Sequence, residues 1–401
     1  MLKIVRICAA ALLLTVIFCG CGDPGADARG IHLAAGGRVK TLDPALAEDL
    51  ASRNMCAALY DTLLEYEYPS RPYRLRPAML ESMPRWSADR KVLYCCLRDD
   101  LYFPADPCFG GKSRKITSAD VLYSIRRLAD GQLHSPAYWM VRGKISGLDE
   151  FRRKSAEDPG YDVPVAGLEY IDERNFAIHL TAPDPRFLYI LALPNLGIVA
   201  REAVEFYGEG FGEHPVGSGP FLLREWVRDY KLFLTANPEF RTQYFPQAQN
   251  PADRQKKLPL AESIVCYQVR QPFAAWLLFL QGELDASVLD KDNLDLVTGG
   301  TEIAPVLRER GVELLRAPEF EIVYTGFHCQ DPKLRNPKLR KAIAMAFNTD
   351  ARVAHLNHLL QKIDGPIPEG VEGFDETLRN PWQKQDPAAA AALLAEAGYP
   401  G

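Results

Sequence analysis

Residues Pro215 to Phe240 read PVGSGPFLLREWVRDYKLFLTANPEF. Gly217 and Gly219 flank Ser218 and open backbone angles closed to other residues, and Pro220 stiffens the exit, so the segment predicts a sharp bend that feeds a strand. Phe221 and Leu223 alternate with Leu222 and Arg224, and beyond Arg228-Asp229-Tyr230 the residues Lys231, Phe233 and Thr235 alternate in the same way. That pattern predicts two strands joined by a polar turn. Asn237-Pro238 closes the second strand, because proline has no ladder donor and asparagine favours a turn. On pattern alone this is a hairpin of some α/β protein.

The chain around it has 401 residues, more than one core usually covers, so two or more lobes are expected. A hydrophobic fraction of 47% with 25% charged residues belongs to a globular protein and excludes a disordered one. A net charge of -5 gives no electrostatic reason to expect nucleic acid. At the N-terminus, Lys3 and Arg6 precede an apolar run from Ile7 to Phe18. The run is too short to span a bilayer and has the length of a secretory signal core, which predicts export with a signal peptide over residues 1–21. It ends in Phe18-Cys19-Gly20-Cys21, which resembles a bacterial lipobox and makes Cys21 the expected lipid attachment; ordinary signal-peptidase cleavage is the competing reading. Residues 22–30 are small and polar, a tether.

Six of the nine cysteines then lie in the mature body: Cys56, Cys95, Cys96, Cys108, Cys266 and Cys329. No C-x-x-C pair supports a zinc site. Two readings stand for the thiols, pairing of Cys95 or Cys96 with Cys108 in an oxidising compartment, or burial as free thiols.

Further segments fall in a consistent order. Leu42-Asp43-Pro44 precedes Leu59-Tyr60-Asp61-Thr62-Leu63-Leu64-Glu65-Tyr66, with a helix expected over Ser52 to Leu64. Trp86 leads into a strand over Lys91 to Arg98. Thr117-Ser118-Ala119-Asp120 opens a helix in capping-box fashion, with Val121, Ile125 and Leu128 as its buried stripe and Arg126, Arg127 and Asp130 facing outward. A strand from Ser263 to Arg270 is expected to open a second lobe, followed by an apolar helix and by Gly282-Glu283-Leu284-Asp285 leading into another strand. Glu319 to Cys329 reads as a strand, Asn336-Pro337 starts a helix, and Asp386-Pro387 starts an alanine-rich helix ending at Gly398.

Together with G-S-G-P-F-L-L, Trp226 and N-P-E-F, this order resembles the extracytoplasmic solute-binding proteins of the peptide/nickel class, family 5, which serve ABC importers. The resemblance implies an α/β, two-lobed periplasmic binding protein-like fold of class II type with an extended first lobe, lobe I over 31–258 and lobe II over 259–401, incomplete at the C-terminus. It implies a lipid-anchored, monomeric receptor outside the cytoplasmic membrane that captures a short peptide and delivers it to permease subunits. No cofactor, metal, nucleic acid or catalytic set is implied. Glu48, Tyr138, Trp139, Ser218, Tyr324 and Phe327 fall where ligand contacts are expected, and His328 departs from the class pattern. Nickel chelates, haem and glycosides stand behind peptides as ligands. Two other classes are weighed: a sensory or scaffold lipoprotein using a degenerate binding fold, and a secreted hydrolase, for which neither G-x-S-x-G nor H-E-x-x-H occurs.

Overall fold

The structure is a computed structural model that describes residues 30–67, 73–158, 163–248, 250–298, 302–316, 321–371 and 373–399. The expected signal peptide and Cys21 lie outside the described residues. The hairpin forms as its alternation requires: Phe221–Val227 pairs antiparallel with Lys231–Ala236, with a register shift between Leu223 and Glu225. Asp229 turns the chain at φ 58, a left-handed angle that aspartate tolerates better than most residues. Leu232 and Leu234 of the second strand are fully buried, which stabilises the fold by roughly 1.5–3 kcal/mol each.

The hairpin forms one side of a four-stranded mixed sheet in the order Gly30–Ala34, Ser263–Tyr267, Lys231–Ala236, Phe221–Val227. Here the structure corrects the sequence reading. The strand Ser263–Tyr267, expected to begin a second lobe, sits inside the first sheet, parallel to Gly30–Ala34 and antiparallel to Lys231–Ala236. Its buried Ser263, Val265 and Cys266 suit a central strand that offers little to water. A second, antiparallel sheet runs Arg85–Trp86, Val92–Cys96, Asn175–His179, Leu168–Tyr170.

The first helix occupies Leu50–Leu59, five residues short of the expected end at Leu64. Tyr60 turns extended at φ -123 and ψ 144, because the chain goes directly on to the strand Leu64–Tyr66. The helix Ser118–Leu128 starts as expected, with Asp120 accepting the Thr117 N–H at 2.8 Å, and buries Val121, Ile125 and Leu128. Arg127 and Asp130 do not face outward, being 4% and 6% exposed. The reason for Arg127 is a partner that helical periodicity cannot reveal: Asp43 receives its guanidinium in two parallel bonds of 2.5 and 2.6 Å.

One continuous core runs from Val39 to Cys266. A second, smaller core gathers Trp276, Val297 and Leu307, with Phe279, Leu280 and Ile303 against it. Farther on, the helices Pro337–Ala346 and Pro387–Glu396 pack together, joined by an Asp386 N–H to Met345 carbonyl bond of 2.9 Å and a Lys338–Glu396 ion pair of 2.9 Å. Two expected strands are absent from the described residues. Residues 321–328 show the right alternation but lie open, with Val323 61% and Tyr324 78% exposed, and no neighbour accepts their ladder. No strand follows Gly282-Glu283-Leu284-Asp285 either; Asp285 instead turns back to the edge of the first strand, its carboxylate accepting the His32 N–H at 2.7 Å and its own N–H donating to the His32 carbonyl at 2.9 Å. The six described cysteines are free thiols, so the pairing reading gives way to burial for Cys56, Cys95 and Cys266. Burial pushes the Cys95 thiol up to about 12 and that of Cys266 to about 11.

Candidate functional site

The bend around Ser218 packs directly on the C-terminal end of the Leu50–Leu59 helix. The Gly219 N–H donates to the Leu59 carbonyl at 3.0 Å, and the Asn237 side chain donates to the Gly219 carbonyl at 2.8 Å. A Cβ on Gly217 would lie 2.0 Å from the Leu59 oxygen, and one on Gly219 would lie 2.5 Å from the Leu59 carbonyl carbon. Neither glycine has a positive φ. Glycine is required here by close approach of two backbones, not by the unusual angles that the sequence suggested. Ser218 is 3% exposed and its hydroxyl has no hydrogen-bond partner. It is closed to a substrate.

Just past the hairpin, Arg241 enters the same junction. Its guanidinium holds Asp61 at 2.6 and 3.2 Å and Glu65 at 2.9 Å, while Gln243 reaches Glu65 at 2.9 Å. Arg241 and Asp61 are almost wholly shielded from water. Burial pushes the Asp61 carboxyl up, and the Arg241 charge opposes that push. The segments Leu59-Tyr60-Asp61 and Gly217 to Arg241, about 160 residues apart in the chain, are therefore one structural unit. Asp43–Arg127 is a second such clamp, and Asp43 also accepts the Ala45 N–H at 3.0 Å. Neither ion pair was expected from the sequence, although all four residues lie within or beside the motifs; a carboxylate and a guanidinium in separate motifs are the signal that could have found them.

The other sequence-selected residues are scattered. Glu48 is exposed in the loop before the first helix, next to Asp49, which caps that helix through Ser52. Tyr138 is engaged within its own lobe: its hydroxyl donates to Asp149 at 2.6 Å and Arg152 stacks 4.1 Å from its ring centre. Trp139 beside it is 69% exposed. Tyr324 and half-buried Phe327 lie in the open 321–328 segment. No hydrogen bond or ring contact among the described residues joins these six to one another.

What the structure does bring together is a cleft of about 430 Å³ at the seam between the two cores. The first sheet contributes Tyr230, Tyr267 and Gln268; the helix Pro272–Gln281 and its cap contribute Leu278, Gln281 and Glu283. The tyrosine rings meet edge to face with centroids 5.9 Å apart, and Gln268 is pinned by accepting the Val39 N–H at 3.0 Å. Asp229 lines the rim and is held by Arg38 at 2.9 Å and Arg270 at 3.7 Å. None of these residues is among the six that the sequence offers as ligand contacts. The one available signal was the acidic turn Gly282–Asp285, read there only as a connector. No cluster of three or more histidine, cysteine, aspartate or glutamate side chains that could hold a metal occurs among the described residues, and no helix among them is long and apolar enough to cross a membrane.

A profile of the bacterial extracellular solute-binding proteins, family 5 Middle, matches residues 74–401. The periplasmic oligopeptide-binding protein OppA of Salmonella typhimurium is 26% identical, over 97% of this chain and 68% of its own. Di/tripeptide-binding protein 2 of Pseudomonas aeruginosa is 25% identical, over 80% of this chain and 55% of its own. Among solved structures, the ABC transporter-associated periplasmic binding protein DppA from Helicobacter pylori, in complex with the peptide STSA, is similar with a TM-score of 0.69 at 22% identity, covering 92% of this chain and 66% of that one. The chain thus spans 55% to 68% of the length of these three relatives.

Proposed function

The chain belongs to the bacterial extracellular solute-binding proteins of family 5, a family of binding proteins and not of enzymes, and from that premise we propose that it captures short peptides outside the cytoplasmic membrane and passes them to the permease of an ABC importer. The observation that carries this reading is that similarity runs along nearly the whole chain to proteins named for binding oligopeptides, di/tripeptides or a bound peptide. The seam cleft supports it, since a ligand held between two cores can favour a closed arrangement through contacts that exist only there. We place the lobe boundary after Val269, where the first sheet ends and the Pro272–Gln281 helix of the second core begins. Glu48, Trp139, Tyr324 and Phe327 stay as candidate ligand contacts, while Tyr138 is engaged by Asp149 and Arg152 and Ser218 is buried beneath the surface. The export signal and Cys21 tether the receptor, as a monomer, to the membrane.

Mass spectrometry of the ligand released from natively purified protein tests the reading. Short peptides are expected; a homogeneous metal chelate without peptide overturns it. Membrane fractionation of a Cys21→Ser variant tests the anchor in the same cells, and retention in the membrane fraction refutes the lipid.

A further inference from the structure

The charged residues that line the seam cleft are acidic, although Arg38 and Arg270 hold Asp229 at its rim and the Lys231 ammonium lies 5.7 Å from the Tyr230 ring centre. Of the residues that line it, Asp229 and Glu283 are charged and both are acidic; neither lysine nor arginine lines it among the described residues. Asp229 is engaged by Arg38 and Arg270 at the rim, and the neighbouring Asp285 carboxylate is committed to the His32 N–H. Glu283 is exposed at the cleft wall. Its backbone is fixed by the way the helix Pro272–Gln281 ends. Gly282 takes φ 83, its N–H donates to the Phe279 carbonyl at 3.0 Å, and the Glu283 N–H donates to the Leu278 carbonyl at 2.9 Å, so the paired bonds of a glycine cap set the position from which the carboxylate projects. Buried Leu284 anchors the next residue.

That placement is unfavourable in isolation. The C-terminus of a helix is the negative end of its dipole, which prefers a cation, and here a carboxylate stands just beyond a ten-residue helix with two turns of aligned carbonyls behind it. The helix end and Glu283 add to one another, and a positive group placed between them is favoured by both. The opposite wall supplies what such a group needs besides charge: the rings of Tyr230 and Tyr267, whose faces attract cations, and the pinned carboxamide of Gln268. Leu278 and Val269 offer apolar surface to an aliphatic stem.

We propose that this cleft is a subsite for the cationic side chain of a bound peptide, so that peptides carrying lysine or arginine are held more tightly than neutral ones, with Glu283 as the residue that sets the preference. The proposal rests on the reading that the chain captures peptides. It goes beyond that reading by assigning a charge selectivity and the residue responsible.

Isothermal titration of the full chain with Ala-Lys-Ala, Ala-Ala-Ala and Ala-Glu-Ala at low salt tests it. One charge-assisted contact to an exposed carboxylate predicts a preference for the lysine peptide of roughly two- to fivefold, which shrinks as salt is added. Glu283→Gln, which keeps the backbone cap, should remove the preference by weakening Ala-Lys-Ala more than Ala-Ala-Ala, and Glu283→Lys should turn it toward Ala-Glu-Ala. Equal affinity of the wild-type chain for all three peptides, or a lysine preference that survives both substitutions, overturns the charge-selective subsite and leaves peptide capture standing. If none of the three binds while the chain remains folded, the peptide reading fails and the subsite with it.

Discussion

Replacing Arg127 with methionine removes one half of a buried ion pair. Methionine keeps an apolar stem of similar reach, including contact with the Phe211 ring that now lies 5.2 Å from the guanidinium. What is lost is the charge that faces Asp43, whose side chain is 3% exposed. Breaking a buried pair from one side costs about 3–5 kcal/mol, because the remaining charge stays desolvated. The core from Val39 to Cys266 belongs to a unit of about 240 residues, for which the unfolding entropy is about 0.5 kcal/mol/K, so the loss corresponds to roughly 6–10 °C in Tm. Calorimetry or circular dichroism at neutral pH measures it. The decisive comparison is the double variant Asp43→Asn with Arg127→Met: asparagine retains an oxygen for the Ala45 N–H, 3.0 Å away, but carries no charge, so the double variant should recover half or more of the lost Tm. An Arg127→Met variant within about 2 °C of wild type would refute the buried-charge argument. So would a double variant no more stable than the single one.

Two further outcomes follow from the same geometry. Asp100 accepts two bonds from Arg98, at 2.8 and 2.7 Å, and one from the Thr242 N–H at 3.0 Å, and the Arg98 hydrogen bonds above all hold its carboxyl down at about 2. Since the folded value lies below the unfolded one of about 4, its contribution is complete above pH ~4 and is lost as pH falls toward 2. Tm measured from pH 5 to 2 should fall less steeply in Asp100→Asn than in wild type, by a small amount because solvent reaches the group, whose side chain is 34% exposed; identical slopes refute the assignment. Gly217→Ala places a methyl 2.0 Å from the Leu59 carbonyl oxygen, which must be relieved by moving backbone, and a loss of about 1–3 kcal/mol is expected in thermal or denaturant unfolding; unchanged stability shows that the approach is not tight.

Elements decided by local chemistry are legible in the sequence, and those decided by a partner far away in the chain are not. The hairpin, the Thr117 helix start and the Asn336 cap depend on neighbours within a few residues, and each formed as read. Ser263–Tyr267 was read correctly as a strand, yet its place depends on Gly30–Ala34, more than 200 residues earlier, which alternation does not encode. Residues 321–328 have a strand pattern with no ladder beside them in the described structure. Arg127 was placed on a solvated face because a helical wheel counts charge as outward, and only Asp43 in the L-D-P loop overrides that count.

The same distinction explains why the family is legible in the sequence and the lining of the cleft is not. At the junction of Gly217, Gly219, Leu59 and the Asp61–Arg241 pair, a Cβ meets backbone at 2.0 Å and a guanidinium must match a shielded carboxylate, so hardly any other residue type fits. Such positions leave a sharp trace in a sequence. A cleft of about 430 Å³ sets no such limit: Tyr230, Gln281 and Glu283 touch it with exposed side chains, and many residue types could stand there without disturbing the fold. Residues that build the lobe are therefore announced by motif, whereas residues that choose a ligand must be read from charge and shape once the fold has assembled them. For that reason Ser218, in the middle of the segment that carries the resemblance, is buried, whereas Glu283, in a turn that reads as a connector, is exposed at the wall of the cleft.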